Sequence, residues 1–226
     1  MSTDIFIRSY RGDFGWLEYC LKSIKKHSSG FNKIHVCVPP NDVQLLSFVK
    51  DEIIHLVDPT ADDYMGQQIT KLYADYFCHC NFIVHVDSDC IFTKPFSPES
   101  FMCGGKAVVL REDGVESPWP SISSRMLGWD DFAEYMRRLP IIYPRWLYAE
   151  FRRWMEERSG KVLKDLILSQ PNREFSEFNT IGQWAYKFHQ DKMEWKHPSE
   201  MEAVARQFWS WGGLEASREE VEKIIA

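Results

Sequence analysis

Two aspartates, Asp87 and Asp89, stand one residue apart directly after an apolar run, in the stretch FIVHVDSDCIF (82–92). Two like charges at the end of a buried strand repel each other strongly where the dielectric constant is low. A shared proton, basic neighbours or a divalent cation would relieve that repulsion. An oxygen-only ligand set suits Mg²⁺ or Mn²⁺, which keep waters or phosphate oxygens as further ligands. A solvated Asp-Ser-Asp turn is the alternative, because both residue types are also common in turns.

Alternating strand-like and helix-like segments lead up to the two aspartates. Apolar runs predict strands at 3–9, 33–39, 53–58 and 82–87, and helical spacing predicts helices at 14–28, near 41–50 and at 66–77. This order is typical of an open, doubly wound sheet, whose ligands bind beyond the carboxyl ends of the strands. The run FIVHVD is too apolar for an edge strand, so we expect it in the centre of a parallel sheet. Ser9, Pro40 and Asp87 follow three of these strands and should line one crevice.

The second half of the chain is predicted to be less regular and more helical. The expected elements are a strand at 106–113, a mostly helical region at 129–158 broken by Pro140 and Pro144, and a loop that enters a helix at 174–188. A final helix at 217–226 begins with Ser217, and Glu220 three residues later completes the spacing of a capping box.

Composition and charge exclude several classes of partner. The 226 residues carry a net charge of −6, so the overall charge does not indicate nucleic acid or an anionic membrane as a partner. No apolar run approaches the roughly 18–20 residues that cross a bilayer, and no signal segment is recognisable. Among the six cysteines, Cys78-His79-Cys80 does not match a CxxC ligand pair, and no second cluster completes a zinc site. We expect reduced thiols and a cytoplasmic protein.

The segment TKLYADYFCHCNFIVHVDSDCIF (70–92) resembles the one by which glycogenin-like glycosyltransferases reach their metal site: T-K-L, a helix, an apolar strand and D-x-D. YMGQQITKLYADYF together with VDSDCIF is also similar to a group of bacterial and viral glycosyltransferases of the same broad type. The resemblance covers about residues 3–110 as a fold pattern and 64–96 as a specific signature. It implies a GT-A fold, which is a mostly parallel open α/β sheet with helices on both faces, together with a nucleotide-sugar donor and Mn²⁺ or Mg²⁺.

The resemblance also implies roles for residues that match the pattern. Asp89 would bind the metal directly, Asp87 would contact the donor's ribose or the metal, and Lys71 would face the nucleotide or a phosphate. The alternative interpretation of Lys71 is an exposed helical lysine. The remaining donor contacts would come from the end of the first strand, the helix and the carboxylate turn: Ser9, Tyr10, Arg11, Asp13, Gln68 and Ser88. Tyr10 could stack on the base or simply pack.

Two further roles fall in the second half. GT-A enzymes often complete the metal's coordination with a distant histidine or aspartate; His197 in EWKHPSE is the candidate, with His189 and Asp191 as reserves. The H-x-x-G-x-x-K-P-W type segment of the glycogenin-like pattern is absent from the sequence. Glu177 in SEFNTIG is the candidate general base, since many GT-A enzymes have an acidic residue at this placement. Favourable electrostatics at a helix start would also explain an acid there.

The aromatic residues of the second half are expected to build the acceptor side, because sugar rings pack on aromatic faces. Gly212 and Gly213 in FWSWGG would permit a tight loop whose exposed N–H groups face a diphosphate. A hydrophobic segment packed on the core is the other interpretation of this stretch.

The sequence therefore predicts one GT-A domain over residues 1–226, with a nucleotide-sugar half at 1–110 and an acceptor half at 111–226. The expected activity is transfer of a hexose from a nucleotide-sugar, with UDP favoured by the resemblance, to a glycan or other hydroxyl acceptor, with inversion. A non-catalytic sugar- or nucleotide-binding module of the same fold is the alternative. A haloacid-dehalogenase-type phosphatase is less favoured, because its D-x-D follows the first strand and not the fourth.

Overall fold

The fold is given by a computed structural model that describes residues 1–58, 60, 63–171 and 173–226. The strands formed by these residues are β1 Thr3–Arg8, β2 Lys33–Val38, β3 Ile53–Leu56, β4 Phe82–Asp87, β5 Cys90–Phe92, β6 Met102–Cys103, β7 Lys106–Leu110, β8 Ile141–Pro144, β9 Glu194–Lys196 and β10 Ala205–Gln207. The α-helices are α1 Phe14–His27, α2 Asp63–Leu72, α3 Pro118–Leu127, α4 Trp146–Ser159, α5 Leu163–Leu168, α6 Glu177–His189 and α7 Arg218–Ile225.

A five-stranded sheet in the order β3-β2-β1-β4-β8 forms the centre of the fold. β1 pairs in parallel with β2 and β4, and β2 pairs in parallel with β3, so the carboxyl ends of these four strands meet at one edge. β8 runs antiparallel to β4. The predicted α/β sheet with mostly parallel strands is confirmed. β4 is interior to the sheet, as its apolar run requires, and its first five residues are buried.

The helix predicted near 41–50 is wrong. Residues Pro40–Leu45 form a 3₁₀ turn instead. Val43 and Leu45 are exposed, so this segment has no apolar face to bury against the sheet. Helices in proteins depend on such a face for most of their stability.

The mostly helical region predicted at 129–158 contains a strand. Ile141–Pro144 is β8, and all four of its residues are buried. β8 pairs with β4 along one side, and this pairing favours a strand for so short an apolar run. The strand predicted at 106–113 is β7, but it lies in a separate sheet of order β6-β7-β9.

The C-terminal helix is confirmed, whereas its capping box is wrong. Ser217 occupies the N-cap position of α7 without a side-chain capping bond. Glu220 instead forms an ion pair with Arg206 of β10. α7 packs on α1 through Val221 and Trp16. Residues 208–217, which connect β10 to α7, therefore lie close to β5, the strand with which β10 pairs.

Arg152 of α4 fixes the end of α2. Its guanidinium donates to the two carboxylate oxygens of Asp75 at 2.6 and 2.7 Å, and to the Leu72 carbonyl oxygen at 2.8 Å. Both charged side chains are almost fully buried. The carbonyl that Arg152 contacts belongs to the residue directly after Lys71, so this pair holds the helix turn that carries Lys71.

Arg152→Lys is expected to lower the free energy of unfolding by about 2–3 kcal/mol, because an ammonium group cannot reproduce the paired bonds to Asp75. Urea denaturation of the two proteins measures the difference. The adjacent Arg153 is exposed, and Arg153→Lys is the control, with an expected change below about 0.5 kcal/mol. Equal effects of the two substitutions would contradict the role of Arg152.

No helix formed by the described residues is long and apolar enough to cross a membrane. All six cysteines are free thiols, and five of them are buried.

Candidate functional site

The two aspartates lie at the carboxyl end of β4. Asp87 is the last residue of the strand, and Ser88 and Asp89 form the turn into β5. Asp89 is only 6% exposed and Ser88 is also buried, whereas 26% of the Asp87 side chain is exposed. A solvated Asp-Ser-Asp turn is therefore excluded, because one of the two carboxylates lies inside the protein.

The carboxylate of Asp89 is held by the chain that follows β10. The Ser210 N–H donates to Oδ2 at 2.8 Å, and Gln207 Nε2 donates to Oδ1 at 3.1 Å. Burial raises the pKa of Asp89 to about 6, and the charge of Asp87 adds to this effect, although the two hydrogen bonds oppose it. Asp89 is thus fixed in orientation while its surroundings disfavour its charge.

Lys71 lies between two carboxylates. Its Nζ is 2.8 Å from Asp87 Oδ1 and 2.9 Å from Glu177 Oε1. The side chains of Lys71 and Glu177 are each 5% exposed. Burial alone would lower the pKa of Lys71, but the two carboxylates raise it overall. Lys71 is therefore a buried ammonium group and not an exposed helical lysine.

Glu177 is positioned by the start of α6. Its backbone N–H donates to Gln68 Oε1 at 3.1 Å, so α2 supplies both the amide and the ammonium group that contact it. The structure thus brings Gln68, Lys71, Asp87 and Glu177 together from α2, β4 and α6. Oε1 of Glu177 contacts Lys71 and holds that ammonium group in place.

Residues that follow β1 line the same edge of the sheet. The Ser9 hydroxyl is buried without a hydrogen-bond partner among the described residues, a state that leaves it open to a ligand. Burial raises the pKa of Asp13, with further contributions from the charges of Asp87 and Asp63 against a hydrogen bond from Ser210. Ser210 therefore links Asp13 to Asp89, since its backbone N–H donates to the latter.

Tyr10 and Arg11 stand at the rim of this edge. The charge of Asp13 raises the pKa of the Tyr10 hydroxyl, and the tyrosine is 41% exposed. Arg11 Nε lies 2.6 Å from Asp42 Oδ1, and the Arg11 N–H donates to the other oxygen of the same carboxylate. Because Asp42 follows β2, this ion pair joins the ends of β1 and β2.

Several residues at this edge were missed by sequence reasoning. Arg8, the last residue of β1, is buried, and its guanidinium pairs with Asp63 at the start of α2. A charged residue at the end of an apolar strand was a signal that could have identified Arg8. No comparable signal marks Gln207 or Ser210, because only the pairing of β10 with β5 brings them to Asp89.

The stretch FWSWGG (208–213) lies against Asp89. The Phe208 N–H donates to the Asp89 carbonyl oxygen at 3.0 Å. Trp209 has φ 54°, which is strained for a residue with a bulky side chain, and it is 55% exposed. Trp211 is 84% exposed. Strained backbone and exposed aromatic rings beside a buried carboxylate are typical of ligand-binding sites.

Gly212 and Gly213 belong to this stretch, and their backbone N–H groups donate hydrogen bonds to carbonyl oxygens of the same stretch. The Gly212 N–H donates to the Trp209 carbonyl oxygen at 2.8 Å, and the Gly213 N–H donates to that of Ser210 at 3.0 Å. Gly213 has φ 79°, which explains the requirement for glycine. The two N–H groups therefore close a turn, and a diphosphate would have to displace these bonds to reach them.

The structure does not bring His197 to the aspartates. His197 follows β9 of the smaller sheet, where Nδ1 contacts Ser199 Oγ at 2.7 Å and Nε2 lies 3.5 Å from Glu112. The two other candidates for the third metal ligand also have different partners: His189 lies near Glu150, and Asp191 pairs with Lys192. Neither Asp87 nor Asp89 belongs to a group of three His, Cys, Asp or Glu side chains that lie close enough to share an ion, among the described residues.

Comparison with known proteins gives a match over most of the chain. A protein-family model described as "Family of unknown function (DUF6492)" matches residues 1–202. The matched region contains both aspartates, Lys71 and Glu177, and it ends before β10. No curated protein matches the chain.

Proposed function

The chain belongs to the DUF6492 family, and we propose that it is a metal-dependent glycosyltransferase that moves a hexose from a nucleotide-sugar to a glycan or other hydroxyl acceptor. The observation that carries the proposal is the buried ammonium group of Lys71 between Asp87 and Glu177, beside the buried Asp89. This constellation stands at the carboxyl edge of a mostly parallel sheet, where open α/β folds bind nucleotides.

The acidic residues at this edge have the ligand chemistry of a divalent-cation site but not yet its spacing, because no three described ligands that include Asp87 or Asp89 lie close enough to share an ion. Asp13, Asp87 and Asp89 offer only oxygen ligands, the set that Mg²⁺ and Mn²⁺ prefer. The raised pKa values of Asp13 and Asp89 reflect burial and mutual repulsion, which a cation would relieve. Lys71 contacts one oxygen of Asp87, and the exposed fraction of that side chain leaves room for a ligand.

A bound divalent cation would offset the negative charge that develops on a departing nucleoside diphosphate. The chain's own residues then have distinct tasks. Ser210 and Gln207 fix the orientation of Asp89, Lys71 compensates the charge of Asp87, and Glu177 holds Lys71. We retain Glu177 as the proposed base, with Oε2 as the atom that would accept the proton of the acceptor hydroxyl.

The exposed aromatic rings support a sugar or nucleobase as the ligand. Tyr10, Trp209 and Trp211 present accessible rings around the edge that carries the aspartates. Rings of this kind stack on the faces of bases and sugars. UDP as the nucleotide and inversion at the sugar carbon are further parts of the proposal, and they rest on the resemblance of TKL and D-x-D alone.

The test is release of nucleoside diphosphate from a panel of nucleotide-sugars by the full chain with Mn²⁺. Slow hydrolysis of one donor is expected, and chelation of the metal should abolish it. Asp191→Asn, at an exposed aspartate, is a control that should leave the rate unchanged. Mn²⁺-dependent nucleotide binding without turnover would favour the non-catalytic module, and phosphate release from simple esters would favour a phosphatase. Absence of both binding and turnover would refute the proposal.

A further inference from the structure

An aspartate, a histidine and a cysteine meet near the amino edge of the main sheet, opposite the edge that carries Asp87. Asp4 lies in β1, His35 lies in β2, and Cys78 follows the 3₁₀ turn after α2. A carboxylate oxygen of Asp4, a ring nitrogen of His35 and the Cys78 sulfur all lie within 4.8 Å of one another. All three residues are at most 3% exposed.

We propose that Asp4, His35 and Cys78 form a Zn²⁺ site. A thiolate, an imidazole and a carboxylate are the ligands of zinc, whereas Mg²⁺ and Mn²⁺ prefer oxygen alone. Zinc bonds of about 2.0–2.3 Å place tetrahedral ligands roughly 3.3–3.7 Å apart. The three atoms need only small side-chain movements to reach that spacing, because they already lie within 4.8 Å.

The hydrogen bonds around His35 supply the outer partners of such a site. His35 Nε2 lies 3.1 Å from Asp4 Oδ2, within hydrogen-bond distance, and zinc would take the place of the hydrogen between these two ligand atoms. His35 Nδ1 is 2.8 Å from His55 Nε2, and the two rings stack. With zinc on Nε2, the Nδ1–H donates to His55, which is the outer contact that orients ligand histidines in metal sites. Asn32 Nδ2 donates to the other oxygen of Asp4 at 3.0 Å and holds that carboxylate.

A cavity gives an ion access to this cluster. It has a volume of about 240 Å³, and Asp4, His35, His55 and His79 are among its lining residues. Two of the three protein ligands, Asp4 and His35, line this cavity. A fourth position on their side of the ion would be open to water or a small anionic ligand, the arrangement of zinc sites that bind exchangeable ligands. The site is independent of the proposed glycosyl transfer, since it lies at the other edge of the sheet.

Metal titration of the full chain, stripped with a chelator, tests the proposal. One equivalent of Zn²⁺ should bind in competition with a chromophoric chelator, and Co²⁺ should give a thiolate-to-cobalt charge-transfer band. Cys78→Ser should remove that band, and His35→Gln should weaken Zn²⁺ binding by at least about 100-fold. Cys103→Ser, at the one exposed cysteine, is the matched control that should leave binding unchanged.

A wild-type chain without a zinc-dependent signal would overturn the zinc site, and so would a thiolate band that survives Cys78→Ser. Far-UV circular dichroism shows whether each variant folds. If the buried substitutions prevent folding, His55→Gln decides, because His55 is only half-buried and its loss should weaken Zn²⁺ binding by roughly 10- to 100-fold. Unchanged affinity in a folded His55→Gln protein would contradict the proposed geometry. None of these outcomes depends on turnover of a nucleotide-sugar.

Discussion

Lys71→Met is expected to lower the free energy of unfolding by about 3–5 kcal/mol, because it leaves Glu177 buried without its counter-charge. The substitution removes the ammonium group, whose Nζ lies 2.9 Å from Glu177 Oε1 and 2.8 Å from Asp87 Oδ1. Removal of one partner from a buried ion pair costs far more than the pair itself contributes, since the remaining charge is unsolvated. Urea denaturation at neutral pH measures the decrease in stability.

The double substitution Lys71→Met with Glu177→Gln is the matched control for this effect. It removes the buried negative charge as well, so it should recover a large part of the stability that the single variant lacks. Lys223→Met, at an exposed helical lysine, should change the free energy of unfolding by less than about 0.5 kcal/mol. If Lys71→Met costs no more than this control, the ammonium group is not structurally required.

Asp89→Asn is expected to reduce metal-dependent donor hydrolysis by at least about 100-fold while making the chain more stable at pH 8. Burial and the charge of Asp87 raise the pKa of Asp89 to about 6, from an ordinary value of 3.8. The folded chain therefore binds this proton more tightly than the unfolded chain does. Stability from this group is fully present below pH 3.8 and is lost as the pH rises through 6.

The size of the stability change follows from that shift. At pH 8 the charged Asp89 costs the folded state roughly 3 kcal/mol, at 1.36 kcal/mol for each pKa unit. Asparagine removes this cost and loses about 1 kcal/mol through one of the two hydrogen bonds that Asp89 accepts. A net gain of about 1–2 kcal/mol is expected at pH 8 without metal, and a small loss is expected at pH 4. Denaturation at both pH values measures the two changes.

Asp191→Asn serves as the control for activity and for the pH dependence, because this aspartate is exposed and far along the chain from the carboxylate turn. Little change in either quantity is expected there. If Asp89→Asn lowers the free energy of unfolding as much at pH 8 as at pH 4, the surroundings of Asp89 do not disfavour its charge. Retained Mn²⁺-dependent turnover in that variant would exclude Asp89 as a metal ligand.

Local patterns in the sequence were sufficient for the four parallel strands of the main sheet and for the carboxylate turn, but not for β8. β1 and β4 are mostly apolar runs that end in the charged residues Arg8 and Asp87, and their parallel pairing brings these ends to one edge. The T-K-L signature pointed to Lys71, although its contact with Glu177 joins residues that are 106 positions apart. Both residues were identified as candidates, but separately, since no local pattern connects them.

Other parts of the site depend on pairing that the sequence does not encode locally. β5 and β10 have three residues each, too few to show an alternating pattern, and yet their pairing carries Gln207 and Ser210 to Asp89. His197 looked suitable by residue type, but β9 joins a different sheet and takes it there. In the same way, Cys78 seemed to lack partners because Asp4 and His35 reach it only after β1 and β2 have paired.

The chain beyond residue 202 lies outside the match to the family model, and yet it supplies both hydrogen bonds to the Asp89 carboxylate. The buried carboxylate and the groups that satisfy it therefore come from two distant parts of the chain. A chain that ended at residue 202 would keep Lys71, Asp87, Asp89 and Glu177 but would lose both donors to the Asp89 carboxylate. The stretch after β10 thus acts as a cover, because it supplies the hydrogen bonds that a buried carboxylate requires.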